Sequence, residues 1–248
     1  VSARYRVGSD RNALKQKLIL FKFMKHLRET IKAPEMDLTI GKSWAENVTI
    51  EGSIVTAAEG DAINTMFITS CYPGDGKSAT TCAMAMALTQ GSINEVVLID
   101  GNLRRPRLHE MLNQDVDPGL TDLLFGEATV EDVIKPTVTS NLFSITAGKT
   151  EVDAVSFFRS PVFSDLLARL RQRFDYVILD GPDYLGRSEC PFLATMFDGV
   201  ILVIDYQNTR WKVAKLVNDR IAAVGGRVIG AVMNRRRFVI PKSLYRVV

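Results

Sequence analysis

Short runs of apolar and β-branched residues recur along the chain, and within each run the apolar positions are continuous rather than alternating. Runs of this kind are typical of strands that are buried on both faces of a parallel sheet. The pattern predicts six strands, at Phe67–Thr69, Val96–Asp100, Leu142–Thr146, Tyr176–Asp180, Val200–Asp205 and Val228–Asn234.

Between these runs, apolar residues return at the three- and four-residue spacing that predicts helices. Because strands and helices alternate along the chain, we predict an α/β fold with a doubly wound, mostly parallel sheet flanked by helices. The predicted helices are Ala79–Thr89, Arg107–Leu112, Leu120–Phe125, Val162–Phe174, Cys190–Met196 and Trp211–Val224.

The N-terminal part of the chain has a different pattern. Apolar residues recur at steps of three and four from Leu14 to Ile31, with basic residues between them, which predicts an amphipathic helix over residues 10–32. Residues 1–32 hold nine Lys or Arg residues against two acidic ones. We therefore divide the chain into a basic N-terminal helix and linker, residues 1–42, and an α/β domain, residues 43–248. The basic face is expected either to be solvated at the domain surface or to contact a membrane-protein partner or an anionic membrane surface.

Composition narrows the classes of protein that fit. The 248 residues are 46% hydrophobic and can bury a full core, and no run of about 18 apolar residues predicts a membrane span. The net charge of +3, without aromatic residues spaced through a basic surface, does not favour nucleic-acid binding. Cys71, Cys82 and Cys190 lack metal-ligand spacing, so we expect buried thiols in a reducing cytoplasm.

A glycine-rich segment, Ser70–Ser78, lies between a predicted strand and a predicted helix, although Cys71 stands where the general pattern has its first glycine. In this setting backbone N–H groups bind phosphate oxygens, Lys77 reaches the β- and γ-phosphates, and the Ser78 hydroxyl binds Mg²⁺. The segment therefore predicts a nucleoside triphosphate site. The residues expected to contact the nucleotide are Pro73, Gly74, Asp75, Gly76, Lys77, Ser78 and Ala79.

Three predicted strands end in a carboxylate: Asp100, Asp180 and Asp205. Ligands of open parallel sheets bind outside the carboxyl ends of the strands, where the glycine-rich segment also lies. We expect Asp180 to hold Mg²⁺ and Asp100 to lie near the γ-phosphate, where it orients or deprotonates a nucleophile. The predicted catalytic residues are Lys77, Asp100 and Asp180, and the predicted metal ligands are Ser78, Asp100 and Asp180.

Several motifs in this order resemble the cytoplasmic kinase domain of bacterial tyrosine kinases, the BY-kinases, over roughly residues 45–240. The resemblance implies a deviant Walker ATPase fold related to MinD and ParA. The motifs are Pro73–Ser78 (PGDGKS), Val97–Pro106 (VLIDGNLRRP), Gly119–Gly126 (GLTDLLFG), Ser160–Leu167 (SPVFSDLL), Phe174–Pro182 (FDYVILDGP) and Gly230–Asn234 (GAVMN).

The resemblance also implies ligands, partners and roles. It implies ATP with Mg²⁺, and a role in assembly, chain-length control or export of capsule or exopolysaccharide. The implied partner is a transmembrane polysaccharide co-polymerase, which places the protein in the cytoplasm, peripheral to the inner membrane, and self-association is implied as well. By the same resemblance Lys77 and Ser78 are the Walker A pair, Asp100 is the second Walker A-type aspartate, Asp180 is the Walker B aspartate and Asn234 faces the adenine.

The chain departs from the family pattern, and these departures leave two activities open. Asn102 stands where a second acid is usual, Glu51 is not followed by the expected arginines, and Tyr245 is the lone tyrosine after Asn234. The segment after Asp180 also differs, with Gly181-Pro182-Asp183 in place of two prolines and Ser188-Glu189 in place of an aspartate. Asn102, the missing arginines and the lone Tyr245 favour a degenerate kinase or regulatory ATPase over an active, autophosphorylating tyrosine kinase.

A third interpretation is a MinD- or ParA-like positioning ATPase that uses residues 10–32 on a membrane. Those proteins place a lysine near the position of Cys71, and this chain has none there.

Overall fold

A computed structural model of the protein describes residues 37–39, 63–89, 93–149 and 151–235. The predicted amphipathic helix over residues 10–32, residues 51–57 and Tyr245 lie outside the described residues. The domain boundary after residue 42 therefore stays a prediction.

The described residues form one eight-stranded sheet, and it contains all six predicted strands. These six are parallel to one another, and the two further strands pair antiparallel at the edges, β1 with β8 and β4 with β5. The spatial order is β1-β8-β7-β2-β6-β3-β5-β4. The strands are β1 Asp37–Thr39, β2 Thr65–Ser70, β3 Val96–Asp100, β4 Lys135–Pro136, β5 Leu142–Ile145, β6 Tyr176–Asp183, β7 Gly199–Asp205 and β8 Val228–Asn234.

All six predicted helices are present, with ends that differ by one or two residues at most. Two further helices, α4 and α5, span a single turn each and begin at side-chain caps, where Thr129 accepts from the Asp132 N–H and Asp153 from the Ser156 N–H. The helices are α1 Lys77–Thr89, α2 Leu108–Leu112, α3 Leu120–Leu124, α4 Val130–Val133, α5 Ala154–Phe158, α6 Pro161–Arg173, α7 Cys190–Met196 and α8 Trp211–Ala223.

Each face of the sheet is covered by its own apolar core. Along β2, Phe67 points to the core that contains α5 to α8, while Met66 and Ile68 point to the core that contains α1 and α2. Every residue of β2, β3 and β7 is buried, which is why their apolar runs are continuous in the sequence. The predicted doubly wound α/β fold is therefore confirmed.

The parallel strands bring the candidate chemistry to one edge of the sheet. β2 leads into the glycine-rich segment, and β6 and β3 lie next to it in that order. In the register of β3 and β6, Asp100 lies opposite Asp180. The carboxyl edge therefore holds the glycine-rich segment and both carboxylates together.

Candidate functional site

The glycine-rich segment forms a tight loop between β2 and α1. Gly74 and Gly76 have φ angles of 85° and 93°, a conformation that side chains with a Cβ rarely adopt. A methyl group at Gly74 would meet nothing within 4 Å, whereas one at Gly76 would collide with the Asn234 carboxamide. Position 76 therefore requires glycine for its backbone conformation and for its close approach to β8.

Hydrogen bonds hold this loop closed from both sides. Inside the loop, the Asp75 carboxylate accepts from the Tyr72 N–H at 3.1 Å, and the Thr80 hydroxyl donates to the Gly76 carbonyl at 3.0 Å. From the end of β8, Asn234 Nδ2 donates to the Asp75 carbonyl at 2.9 Å. Burial raises the pKa of Asp75 above its ordinary value. The loop conformation is thus fixed by the protein itself.

Lys77 is the first residue of α1 and is buried, although it is a lysine. Its Nζ donates to the Ser70 hydroxyl at 3.1 Å, and that hydroxyl donates to the Tyr72 carbonyl at 2.6 Å. None of the ion pairs among the described residues involves Lys77. A buried ammonium at a helix N-terminus, with a hydroxyl as its partner, is suited to an anionic ligand.

Asp180 is fully buried in β6. Its Oδ1 lies 3.2 Å from the Thr81 hydroxyl, while its Oδ2 has no hydrogen-bond partner in the part of the chain that the structure describes. Burial raises the pKa of Asp180, and the nearby Ser78 hydroxyl, the charge of Lys77 and the bond from Thr81 partly offset that rise. An unpartnered carboxylate oxygen beside a serine hydroxyl fits Mg²⁺, which prefers oxygen ligands and completes its shell with phosphate and water.

Asp100 uses both of its carboxylate oxygens to hold the backbone. Oδ2 accepts from the N–H groups of Arg107 and Leu108, each at 2.9 Å, and Oδ1 accepts from the Asn102 N–H at 3.3 Å. Burial and the neighbouring charge of Asp180 raise the pKa of Asp100. Asp100 thus anchors residues 101–107, the loop between β3 and α2. Its roles as a base and as a metal ligand stay predictions.

Asn234 is placed where the sequence predicts, at the end of β8 beside the loop. One amide N–H is used by Asp75, and Oδ1 accepts from the Arg235 N–H at 2.9 Å. A carboxamide has two N–H donors and two acceptor positions, so one of each is left for a ligand. The adenine contact stays a prediction.

Two features of the site were not predicted. Thr81, which bonds Asp180, lies four residues after Lys77 and therefore on the same face of α1, a spacing that the sequence does show. Asp205 accepts from Arg235 Nη1, Asn208 Nδ2 and the Gln207 N–H. Burial raises the pKa of Asp205, but these hydrogen bonds outweigh burial and hold it below its ordinary value. Asp205 thus secures the turn after β7.

Cys71, Cys82 and Cys190 are buried free thiols, as the sequence predicts. Within the described ranges, no three His, Cys, Asp or Glu side chains are grouped to hold a metal ion by themselves. No helix in those ranges is long and apolar enough to cross a membrane.

Comparisons with known proteins match the chain to one family and to several named kinases. Residues 62–247 match the ParA family, described as NUBPL iron-transfer P-loop NTPase. The tyrosine-protein kinase ptk of Acinetobacter johnsonii is 35% identical over 172 residues, which cover 69% of this chain and 23% of that kinase. The tyrosine-protein kinase YwqD of Bacillus subtilis is 28% identical over 189 residues, which cover 76% of this chain and 79% of that kinase.

Solved structures show the same likeness. The VpsO kinase domain superposes with a TM-score of 0.68 at 27% identity, over 92% of this chain and 100% of that one. The septum site-determining protein MinD of Pyrococcus horikoshii, complexed with Mg-ADP, superposes with a TM-score of 0.61 at 24% identity, over 74% of this chain and 76% of that one. The second likeness concerns the fold alone.

The two loop glycines give a first test of the geometry. We expect Gly74→Ala to lower the free energy of unfolding by about 1 kcal/mol, because alanine is strained at positive φ. Gly76→Ala should cost at least about 2 kcal/mol, because it adds the collision with Asn234. Urea unfolding measures both values. Adding Asn234→Ala to Gly76→Ala should relieve part of that loss, and equal losses for the two single variants would contradict the geometry.

A second test concerns the buried Asp180 and the dependence of protein stability on pH. Since its folded-state pKa is raised, the folded protein binds more protons than the unfolded chain above about pH 4, so this group lowers stability as pH rises toward neutrality. We expect Asp180→Asn to stabilise the ligand-free protein by about 1 kcal/mol or more at pH 7.5, and this gain to vanish below about pH 4. Thermal unfolding in EDTA from pH 4 to 8 measures it.

Asp205→Asn is the matched control for this test, because the pKa of Asp205 is lowered. This variant should be less stable than the parent protein at pH 7.5. A loss of stability for Asp180→Asn at that pH would contradict our interpretation of the buried carboxylate.

Proposed function

The chain belongs to the ParA family of P-loop NTPases, and from this we propose that it binds ATP with Mg²⁺ and acts as a regulatory ATPase of the bacterial tyrosine kinase type. The predicted resemblance to bacterial tyrosine kinases is confirmed, since the bacterial relatives are described as tyrosine-protein kinases and the VpsO structure as a kinase domain. The chain spans 23% of the Acinetobacter kinase, and the activity of the whole protein is part of the proposal.

Nucleotide binding rests on one observation above the others. Lys77 and Asp180 are buried next to a preformed glycine loop, and among the described residues Lys77 forms no ion pair and one oxygen of Asp180 has no hydrogen-bond partner. Unpaired charges are costly in a protein interior unless a ligand completes them. A triphosphate with its cation supplies both complements, an anion for Lys77 and a metal for Asp180.

We assign the binding roles accordingly. Lys77 and the loop N–H groups bind the phosphates, Ser78 and Asp180 hold Mg²⁺, and Asn234 contacts the adenine with its remaining N–H and acceptor position. When it is bound, Mg²⁺ neutralises charge on the β- and γ-phosphate oxygens. The protein contributes a buried lysine and a buried aspartate beside a loop that its own hydrogen bonds already shape.

A regulatory role is favoured over phosphate transfer by the residues that surround the γ-phosphate position. Transfer to a tyrosine hydroxyl requires a group that orients the hydroxyl and accepts its proton. Asp100 accepts from three backbone N–H groups, bonds that proton uptake by its carboxylate would weaken, and Asn102 is a neutral amide that cannot take up the proton. An active tyrosine kinase is the second candidate, because the relatives of this chain carry that name.

We also propose a partner and a setting. The protein works with a transmembrane polysaccharide co-polymerase in the assembly or export of capsule or exopolysaccharide, at the cytoplasmic side of the inner membrane. The support is the resemblance to BY-kinases, together with the basic pattern of residues 10–32, which suits contact with a membrane protein or an anionic surface.

A calorimetric titration tests nucleotide binding directly. We expect Lys77→Ala to weaken the binding of Mg-ATP by about 100-fold or more, because the phosphates lose their buried ammonium. Lys215→Ala is the matched control, since Lys215 pairs with Asp219 on the exposed face of α8. If Lys77→Ala bound Mg-ATP as tightly as the control, the loop would not be the phosphate site.

The choice between regulation and kinase activity needs one purified sample incubated with ATP and Mg²⁺. We expect ADP to form slowly and mass spectrometry to find no phosphotyrosine, because proton uptake by Asp100 would weaken its three backbone hydrogen bonds and Asn102 cannot accept a proton. Phosphotyrosine that disappears in Asp100→Asn would instead establish the kinase.

A further inference from the structure

A group of unsatisfied polar atoms follows β6, in the segment of residues 183–189. Among the described residues, the buried side-chain atoms without a hydrogen-bond partner include Tyr184 OH, Arg187 Nε and Glu189 Oε2. Glu189 is 3% exposed, and its other oxygen, Oε1, lies 3.8 Å from Arg104 Nη1. That distance is an ion pair but exceeds a hydrogen bond.

The segment begins beside the residues that hold Lys77. The Tyr184 N–H donates to the Ser70 carbonyl at 2.8 Å, and Ser70 carries the hydroxyl that accepts from Lys77 Nζ. Glu189 precedes α7, and the Leu193 N–H donates to its carbonyl at 3.0 Å. The buried acid is therefore fixed on a segment that borders the phosphate loop.

Arg104 belongs to the loop of residues 101–107, which Asp100 anchors through three backbone N–H groups. β3 and β6 are neighbours in the sheet, so this loop and segment 183–189 leave the same edge next to each other. The loop contains three arginines and no acid of its own. Arg107 pairs with Glu110 at the surface at 3.1 Å, whereas Arg104 is the arginine of this loop that pairs with a buried acid among the described residues.

The ion pair with Glu189 orients the Arg104 guanidinium without using up its N–H donors. A guanidinium has five N–H donors, and a single contact at 3.8 Å leaves these donors available to a phosphate. A buried carboxylate with an unpaired oxygen is costly to maintain unless it has another use. Holding a cation at the edge of the phosphate site is such a use.

We propose that Arg104 binds the γ-phosphate and that Glu189 positions it, so that the pair distinguishes ATP from ADP. This inference rests on the proposed nucleotide binding and adds to it the residues that recognise the third phosphate. The γ-phosphate is the anionic group that ADP lacks, and Asn102 brings no negative charge that would oppose it. Arg104 is a binding residue in this scheme, and Glu189 is a positioning residue that acts through it.

The test is a set of calorimetric titrations of the full 248-residue chain with Mg-ATPγS and, separately, Mg-ADP. Arg104→Met should weaken ATPγS binding by about tenfold or more while leaving ADP binding unchanged. Glu189→Gln should weaken ATPγS binding in the same selective way, by a smaller factor. The double variant should be no weaker than Arg104→Met alone, because Glu189 acts through the arginine. Glu189→Asp, which keeps the charge, should recover part of the loss.

Glu110→Gln is the matched control, because Glu110 pairs with the neighbouring Arg107 on the exposed side of α2. It should leave the ratio of the two affinities unchanged. An unchanged ratio in Arg104→Met, or independent losses that add in the double variant, would overturn the inference. Equal weakening of both nucleotides in Glu189→Gln would also overturn it, by assigning Glu189 a structural role. A parent protein that binds neither nucleotide would instead refute the proposed function itself.

Discussion

Two carboxylates lie side by side in the interior of this protein, because β3 and β6 are parallel neighbours whose register sets Asp100 opposite Asp180. Buried like charges are destabilising unless each is paired or hydrogen-bonded. The two carboxylates differ in how far hydrogen bonds from the protein satisfy them. Three backbone N–H groups satisfy Asp100, whereas Asp180 keeps one oxygen without a protein partner. One acid is used to organise the chain, and the other remains for a ligand.

Each acid determines what surrounds it. Asp100 binds the backbone where α2 begins, which fixes the loop of residues 101–107 and therefore the place from which Arg104 extends. Asp180 faces Ser78 and Thr81 at the start of α1, beside the buried Lys77. The sheet register, set by apolar strands far from any ligand, thus decides which polar groups meet at the edge.

The sequence predicts those helices and strands whose buried side chains produce a regular pattern of apolar residues. Strands covered on both faces give continuous apolar runs, and β3 and β8 have the predicted bounds. The edge strands β1 and β4 have three and two residues, too few for a period, and they exist through pairing with distant neighbours. The helix α4 also escapes prediction, since its four residues are too few to show a repeat.

Some residues of the candidate site can likewise be predicted from the sequence, whereas some of its contacts cannot. Residue type and spacing predict Lys77 and Ser78 as phosphate-loop residues, and strand-end position predicts Asp180 beside them. The direction of a backbone N–H group leaves no trace in the sequence, so the occupation of both Asp100 oxygens could not be predicted. The contact of Arg104 with Glu189 joins two loops that are distant along the chain, and it follows from the neighbouring positions of β3 and β6.

The charged groups around the proposed phosphate site bear on whether it can transfer a phosphoryl group or only recognise one. A site that transfers a phosphoryl group to a hydroxyl needs a base that can accept the proton of that hydroxyl. A site that distinguishes nucleotides needs contacts that differ between the triphosphate and the diphosphate. Near this edge Asp100 accepts from backbone N–H groups, Glu189 forms an ion pair with Arg104, and position 102 is neutral. Cations dominate the loop after β3, and Glu189 ties that loop to the start of α7. This arrangement favours a site that senses the γ-phosphate and passes its presence to a helix over one that transfers it.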